Sequence, residues 1–208
     1  MKKKPTTSDL GRVNKPAKNQ EPVYQFKITL PGTHPLVWRR IQVKDGTLDR
    51  LHEYIQTAMG WTNSHLHYFK IGEHLYGDPM LMEDHMEGKD YRDSTTTILS
   101  DILPTSGKRF RFVYQYDFGD NWEHEILFQG CRSAESYRRY PVCLDGQRAC
   151  PPEDVGGTPG YDEFLEAIAD TGHQEDDDKV RWVGGTFDPD AFDPIAASKA
   201  MRKRIFRA

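Results

Sequence analysis

The stretch RFRFVYQYDFGDNWEHEILF, residues 109–128, decides the fold. Phe110, Phe112, Tyr114 and Tyr116 recur at every second position, which puts them on one face of a strand running from Arg109 to Tyr116. Asp117-Phe118-Gly119-Asp120-Asn121 supplies turn chemistry: Asp and Asn side chains bond to nearby backbone, and Gly accepts positive φ. Trp122, His124, Ile126 and Phe128 resume the alternation on the way back. The stretch predicts a long hairpin, hence an antiparallel pair.

Upstream, Tyr24 to Leu30 alternates strictly and predicts a half-buried strand. A Pro/Gly turn over 31–35 leads to a second strand, Val37 to Val43, with Val37, Ile41 and Val43 on one face and Arg39 sharing their parity. Leu48, Leu51, Ile55, Ala58 and Met59 follow helical spacing, with Thr47 as N-cap and Gly60 as the left-handed stop. His65 to Ile71 is expected to form a third strand, Tyr76-Gly77-Asp78-Pro79 a turn, 80–95 a loop, and Thr97 to Leu103 a short helix ended by Pro104.

Downstream, 140–160 is dense in Pro, Gly and Cys and predicts a connector. A helix opening at Thr158-Pro159 presents Tyr161, Phe164, Leu165 and Ile168 and stops at Gly172. An acidic run over 175–178 and a loop over 182–189 follow, then a last helix from about Pro194 with a basic end, Met201-Arg202-Lys203-Arg204. Residues 1–21 are polar and predict a flexible tail, leaving 22–208 as one domain. Hairpins followed by helices predict a single α+β domain with a curved antiparallel sheet and helices packed on one side.

The 208 residues carry a formal net charge of −4, which exerts no global pull on nucleic acid. Three cysteines, Cys131, Cys143 and Cys150, are too few and odd in number for a secreted disulfide framework. No apolar run approaches the ~18 residues of a membrane span, and no apolar stretch follows Lys2, Lys3 and Lys4 as a secretory signal requires. A cytoplasmic protein without membrane contact is the expectation.

Four blocks in order carry a resemblance to a known family: Pro35 to Val43 with Leu48, Leu51-His52 and Met59-Gly60-Trp61; Ser64-His65-Leu66-His67-Tyr68-Phe69; Tyr114 to His124; and Tyr140 to Cys143 through Cys150 to Gly157, then Gly160-Tyr161 and Phe187-Asp188-Pro189. Over about 22–205 the chain resembles the plasmid pRi ORF-three-like family, also labelled insertion-element passenger TnpR-like. The resemblance implies an α+β fold and a tie to plasmids or mobile DNA, and no established activity. A resolvase would need an activated serine beside an arginine cluster, and neither Ser8 nor Ser64 has that context. Val155 stands where relatives often carry Cys.

His65 and His67 are two apart on an expected strand, and His124 shares the apolar face of the long hairpin. Adjacent strands would bring all three together, with Asp117 or Asp120 at the hairpin tip, as ligands for zinc or another divalent metal or as carboxylate-bonded histidines at a core margin. The Asp residues also satisfy the turn alone. Cys143 and Cys150, six residues apart, form a loose metal pair or two packed thiols. Arg39, Arg40, Arg109 and Arg111 beside Trp38 offer a basic face that could track nucleic acid, or simply a solvated sheet face. Two functions follow: a non-enzymatic module binding nucleic acid or a protein, or a metal-dependent hydrolase, acting on nucleic acid, that uses His65, His67 and His124 with Asp117 or Asp120.

Overall fold

A computed structural model describes residues 21–82, 91–105, 108–169 and 186–203. The tail (1–20), Gly172, the acidic run, Trp182 and Arg204 lie outside the described residues. Eight strands are described: β1 (Pro22–Leu30), β2 (Val37–Lys44), β3 (His67–Ile71), β4 (His74–Gly77), β5 (Tyr91–Asp93), β6 (Phe110–Tyr116), β7 (Trp122–Ser133) and β8 (Val142–Gln147). They form one open sheet in the order β5-β4-β3-β6-β7-β1-β2-β8. The helices are α1 (Leu48–Met59), α2 (Pro79–Met82), α3 (Leu99–Ile102), α4 (Gly157–Ala169) and α5 (Pro194–Lys203). The α+β class holds, and among the described residues no helix is long and apolar enough to cross a membrane.

The aromatic alternation of β6 and β7 sets the centre of the sheet. Phe112 lies opposite Ile126, Tyr114 opposite His124 and Tyr116 opposite Trp122. All six are buried, as are Tyr24, Phe26, Ile28 and Leu30 of β1 and Val37, Ile41 and Val43 of β2. Leu48, Leu51 and Ile55 of α1 and Met201 of α5 complete the same core. Thr47 caps α1 by accepting from the backbone N–H of Arg50, and Gly60 ends it at φ 109°.

Four expectations change. The sheet is mixed, because β5 returns after α2 and lies parallel to β4; a parallel neighbour needs such a crossover. Tyr76 and Gly77 belong to β4 rather than to a turn. β8 lies where a connector was expected: only Cys143 of its side chains is buried, so this edge strand shows no alternation to read. Ser198 of α5 secures it, accepting from the Cys143 N–H at 2.8 Å. β7 continues past Phe128 to Ser133, and a shift of its ladder with β1 between Gln25 and Phe26, opposite Gly130 at φ 124°, breaks the period of two there.

The basic face is also corrected. Arg39 points inward and is almost fully buried. Its Nε donates to the carbonyl of Ala58 at 2.9 Å, its Nη1 to those of Trp38 and Gln147, and its guanidinium sits 3.9 Å from the Phe192 ring centroid. The buried cation is satisfied by carbonyls, one of them at the negative end of α1. Arg40 pairs with Asp145 and Arg111 with Glu125, and β1 and β7 separate their strands. Arg39 is therefore no part of an exposed basic face, and Arg40 and Arg111 lie three strands apart, each paired with a carboxylate.

Candidate functional site

Three chain segments converge at one end of the sheet. The first is the tip of the β6–β7 hairpin. Asp117 and Asn121 take the left-handed backbone (φ 55° and 59°), whereas Gly119 does not. Asp117 Oδ1 accepts from the Gly119 N–H at 2.9 Å, and the Asn121 N–H donates to the Asp117 carbonyl. The turn chemistry is as expected, but the strained positions fall on Asp and Asn, which tolerate them.

The second segment precedes β3. The Asp117 N–H donates to the Leu66 carbonyl at 2.9 Å, and the Ser64 N–H to the Tyr116 hydroxyl at 3.0 Å. His65 thus lies in the bend before β3 rather than on the strand. The third segment is the loop 151–157. Trp61 Nε1 donates to the Pro151 carbonyl at 3.0 Å, and Glu153 accepts from Thr62 N–H at 2.8 Å and from the Tyr116 hydroxyl. The Gly156 N–H donates to Asp120 Oδ2, and a Cβ on Gly157 (φ 68°) would lie 2.5 Å from the Asp120 carbonyl oxygen. Only glycine permits that approach. A Gly157→Ala variant is expected to lose about 1–3 kcal/mol of stability by urea unfolding. A cost near zero would mean that the loop and the hairpin tip are not docked.

This docking places Asp154 beside His65. His65 Nε2 lies 3.0 Å from Asp154 Oδ1 and 3.6 Å from Asp117 Oδ2. The three ligand atoms lie within 4.8 Å of one another. His65 Nε2 is shielded from solvent yet aligned to hydrogen-bond neither carboxylate. Asp117 is buried, while Asp154 is open to solvent. One imidazole nitrogen and two carboxylate oxygens in this spacing suit a divalent cation such as zinc.

The histidine set drawn from the sequence is not assembled in that form. β6 lies between β3 and β7, so the strands bearing His67 and His124 are not neighbours. His67 lies opposite Tyr116, and His124 opposite Tyr114. His67 stacks on His52, which the sequence placed in a family block but not in the site, with centroids 3.4 Å apart and planes 2° apart. Its signal was there: position 52 is four after Leu48 and three before Ile55, on the core stripe of α1. His52 belongs to a closed network. Gln56 Nε2 donates to the Tyr114 hydroxyl, which meets His52 Nδ1 at 2.8 Å. His52 Nε2 meets Asn63 Oδ1 at 2.7 Å, and the Asn63 N–H returns to Gln56 Oε1. Since Asn63 Oδ1 can only accept, His52 carries a proton on Nε2.

Burial pushes His52 down to about 4 despite the bond to Asn63. It pushes His124, wholly enclosed and edge-on to Trp61, to about 4 as well. His67 is lowered by burial and then by His52. Asp120 is engaged with Gly156. Cys143 is buried, with its Sγ directed at the Asp145 carbonyl, and Cys150 is partly buried. Burial raises both thiols. Among the described residues no third ligand joins them in a metal-holding group.

Two clefts flank the trio. One of about 480 Å³ is walled by His65, His67, His52 and the carboxylates of Asp49, Glu53 and Asp78. The other, about 700 Å³, is walled by Asp154, Glu153, Trp61, Arg39 and Phe192. His65 lines the first cleft and Asp154 the second.

A family model described as plasmid pRiA4b ORF-3-like protein matches residues 22–196. The uncharacterized protein y4hQ of Sinorhizobium fredii (strain NBRC 101917 / NGR234) is 40% identical over 166 residues, covering 79% of this chain and 82% of the relative. The crystal structure of MM3350, a protein of unknown function from Methanosarcina mazei Go1, matches with a TM-score of 0.74 and 36% identity. That match covers 85% of this chain and 98% of the other.

Proposed function

The chain belongs to the plasmid pRiA4b ORF-3-like protein family, and we propose that it is a binding module built around a divalent cation held by His65, Asp117 and Asp154. The observation that carries this reading is His65 Nε2: it is enclosed, 3.0 Å from one carboxylate oxygen and 3.6 Å from another, and hydrogen-bonds neither. A cation satisfies all three atoms together, and two carboxylates neutralise its charge.

Calorimetric titration with Zn²⁺ and Mn²⁺ tests it. One ion per chain is expected, with affinity reduced about 10–100-fold or more in Asp154→Ala. Asp154 is exposed, so its removal leaves the core intact. No binding, or equal affinity in the variant, defeats the reading.

One feature supports the hydrolase alternative. Three protein ligands leave coordination positions open, and an open position is where a metal activates water. Metal-dependent cleavage of a phosphodiester model substrate, abolished in His65→Ala, would favour the enzyme. Tight binding without turnover favours the module.

A further inference from the structure

A third cleft shares no wall residue with either of the two that flank His65. It encloses about 520 Å³, and its charged wall residues are Lys44, Arg50, Arg138, Arg139 and Arg202. No carboxylate contributes to the wall. These five residues come from the end of β2, from α1, from the segment before β8 and from α5, so tertiary packing alone gathers them. In a chain of net charge −4, a concavity whose wall cations outnumber their paired carboxylates carries a local positive excess that attracts anions.

Three of the five are ion-paired: Lys44 with Glu21, Arg50 with Glu53, and Arg138 with Glu135. Among the described residues no carboxylate pairs with Arg139 or Arg202. Arg202 Nη1 instead reaches the Pro141 and Arg139 carbonyls at 3.2 and 3.4 Å, which holds it over that segment. Two uncompensated guanidiniums, each with a planar fork of donors, match phosphate oxygens better than ammonium groups do.

The wall also holds two half-buried tyrosines, Tyr54 and Tyr140. The Arg50 guanidinium lies 5.1 Å from the Tyr54 ring centroid. Aromatic rings between cations form the surface on which bases stack while the backbone is neutralised. We propose that this cleft binds the phosphate backbone and bases of single-stranded nucleic acid. The proposal stands independently of the cation site.

Fluorescence anisotropy with the full chain and a labelled DNA single strand of about 15 nucleotides tests it. Binding is expected at low salt. The Arg139→Ala/Arg202→Ala double variant is expected to bind at least ~10-fold more weakly, with the slope of log K against log salt reduced by about 1.4, two phosphates at ~0.7 each. Arg111→Ala, at an exposed arginine of β6, is the control and should bind as the parent does. Circular dichroism melting verifies folding, and a single Arg202→Glu variant gives a second reading, again with weakened binding expected. The proposal is overturned by absence of binding at low salt, by equal binding in both cleft variants, or by an equal loss in Arg111→Ala. Full competition by an equimolar nucleoside monophosphate would also overturn it, since the cleft would then take a single nucleotide rather than a strand.

Discussion

A Trp61→Ala variant is expected to unfold about 3–5 kcal/mol more easily than the parent in urea titration, the range for removing a large buried aromatic. Trp61 leaves α1 directly after the left-handed Gly60, and its N–H donates to the Gln56 carbonyl. Its ring inserts between those of Tyr116, His124 and Trp122, at 5.0, 5.2 and 5.9 Å between centroids. Truncation leaves a void that three rigid rings cannot collapse into. It also removes the donor to the Pro151 carbonyl, the anchor of the loop that carries Asp154. Trp61→Phe separates the two effects, retaining most of the ring volume and losing the hydrogen bond, at about 1–2 kcal/mol. Both variants are expected to weaken cation binding, because the loop loses its tether. A loss below ~1 kcal/mol in Trp61→Ala would mean that the ring does not fill the core as described.

Acid is expected to destabilise the fold well before its carboxylates titrate. His52 and His124 are neutral in the folded chain because burial holds both near 4. In the unfolded chain both charge at about 6.5. The unfolded state therefore binds more protons below that value, so stability is complete above pH ~6.5 and falls as pH drops toward ~4. At pH 5 each histidine withdraws about 2 kcal/mol. Urea midpoints at pH 7.5, 6.5, 5.5 and 5.0 check this, and in His124→Phe the pH-dependent part of the loss should shrink by about 2 kcal/mol at pH 5. A flat profile over that window would show that these rings take up protons in the fold.

Much of the fold was legible because its signals are local. The alternation in β1, β6 and β7, the spacing of α1 and its Thr47 and Gly60 caps all read correctly. β8 was not legible, because an edge strand with one buried side chain carries no alternation. The far half of β7 was hidden by the bulge opposite Gly130. Parity also put Arg39 on the inward face, but whether a buried guanidinium finds acceptors depends on carbonyls at 58 and 147.

The candidate site divides in the same way. Residue types singled out His65 and Asp117. His67 and His124 were drawn into one cluster by parity alone, and parity is blind to strand order. One strand, β6, interposed between theirs puts Tyr114 between the imidazoles, within 5.8 Å of one and 5.2 Å of the other. Asp154 had no local signal, since its partnership with His65 exists only once the 151–157 loop docks on the hairpin tip.

What this sequence determined by itself is which residues face inward, where α1 begins and ends, and that a hairpin-built sheet carries an aromatic core. Each of these is settled by side chains within a few positions of one another, through pleat, helical pitch and cap hydrogen bonds. Only the tertiary structure decided the strand order, the His65–Asp117–Asp154 convergence and the gathering of five cations around Tyr54 and Tyr140. Those depend on contacts between segments far apart in the chain, whose energies come from burial and docking that no local pattern encodes.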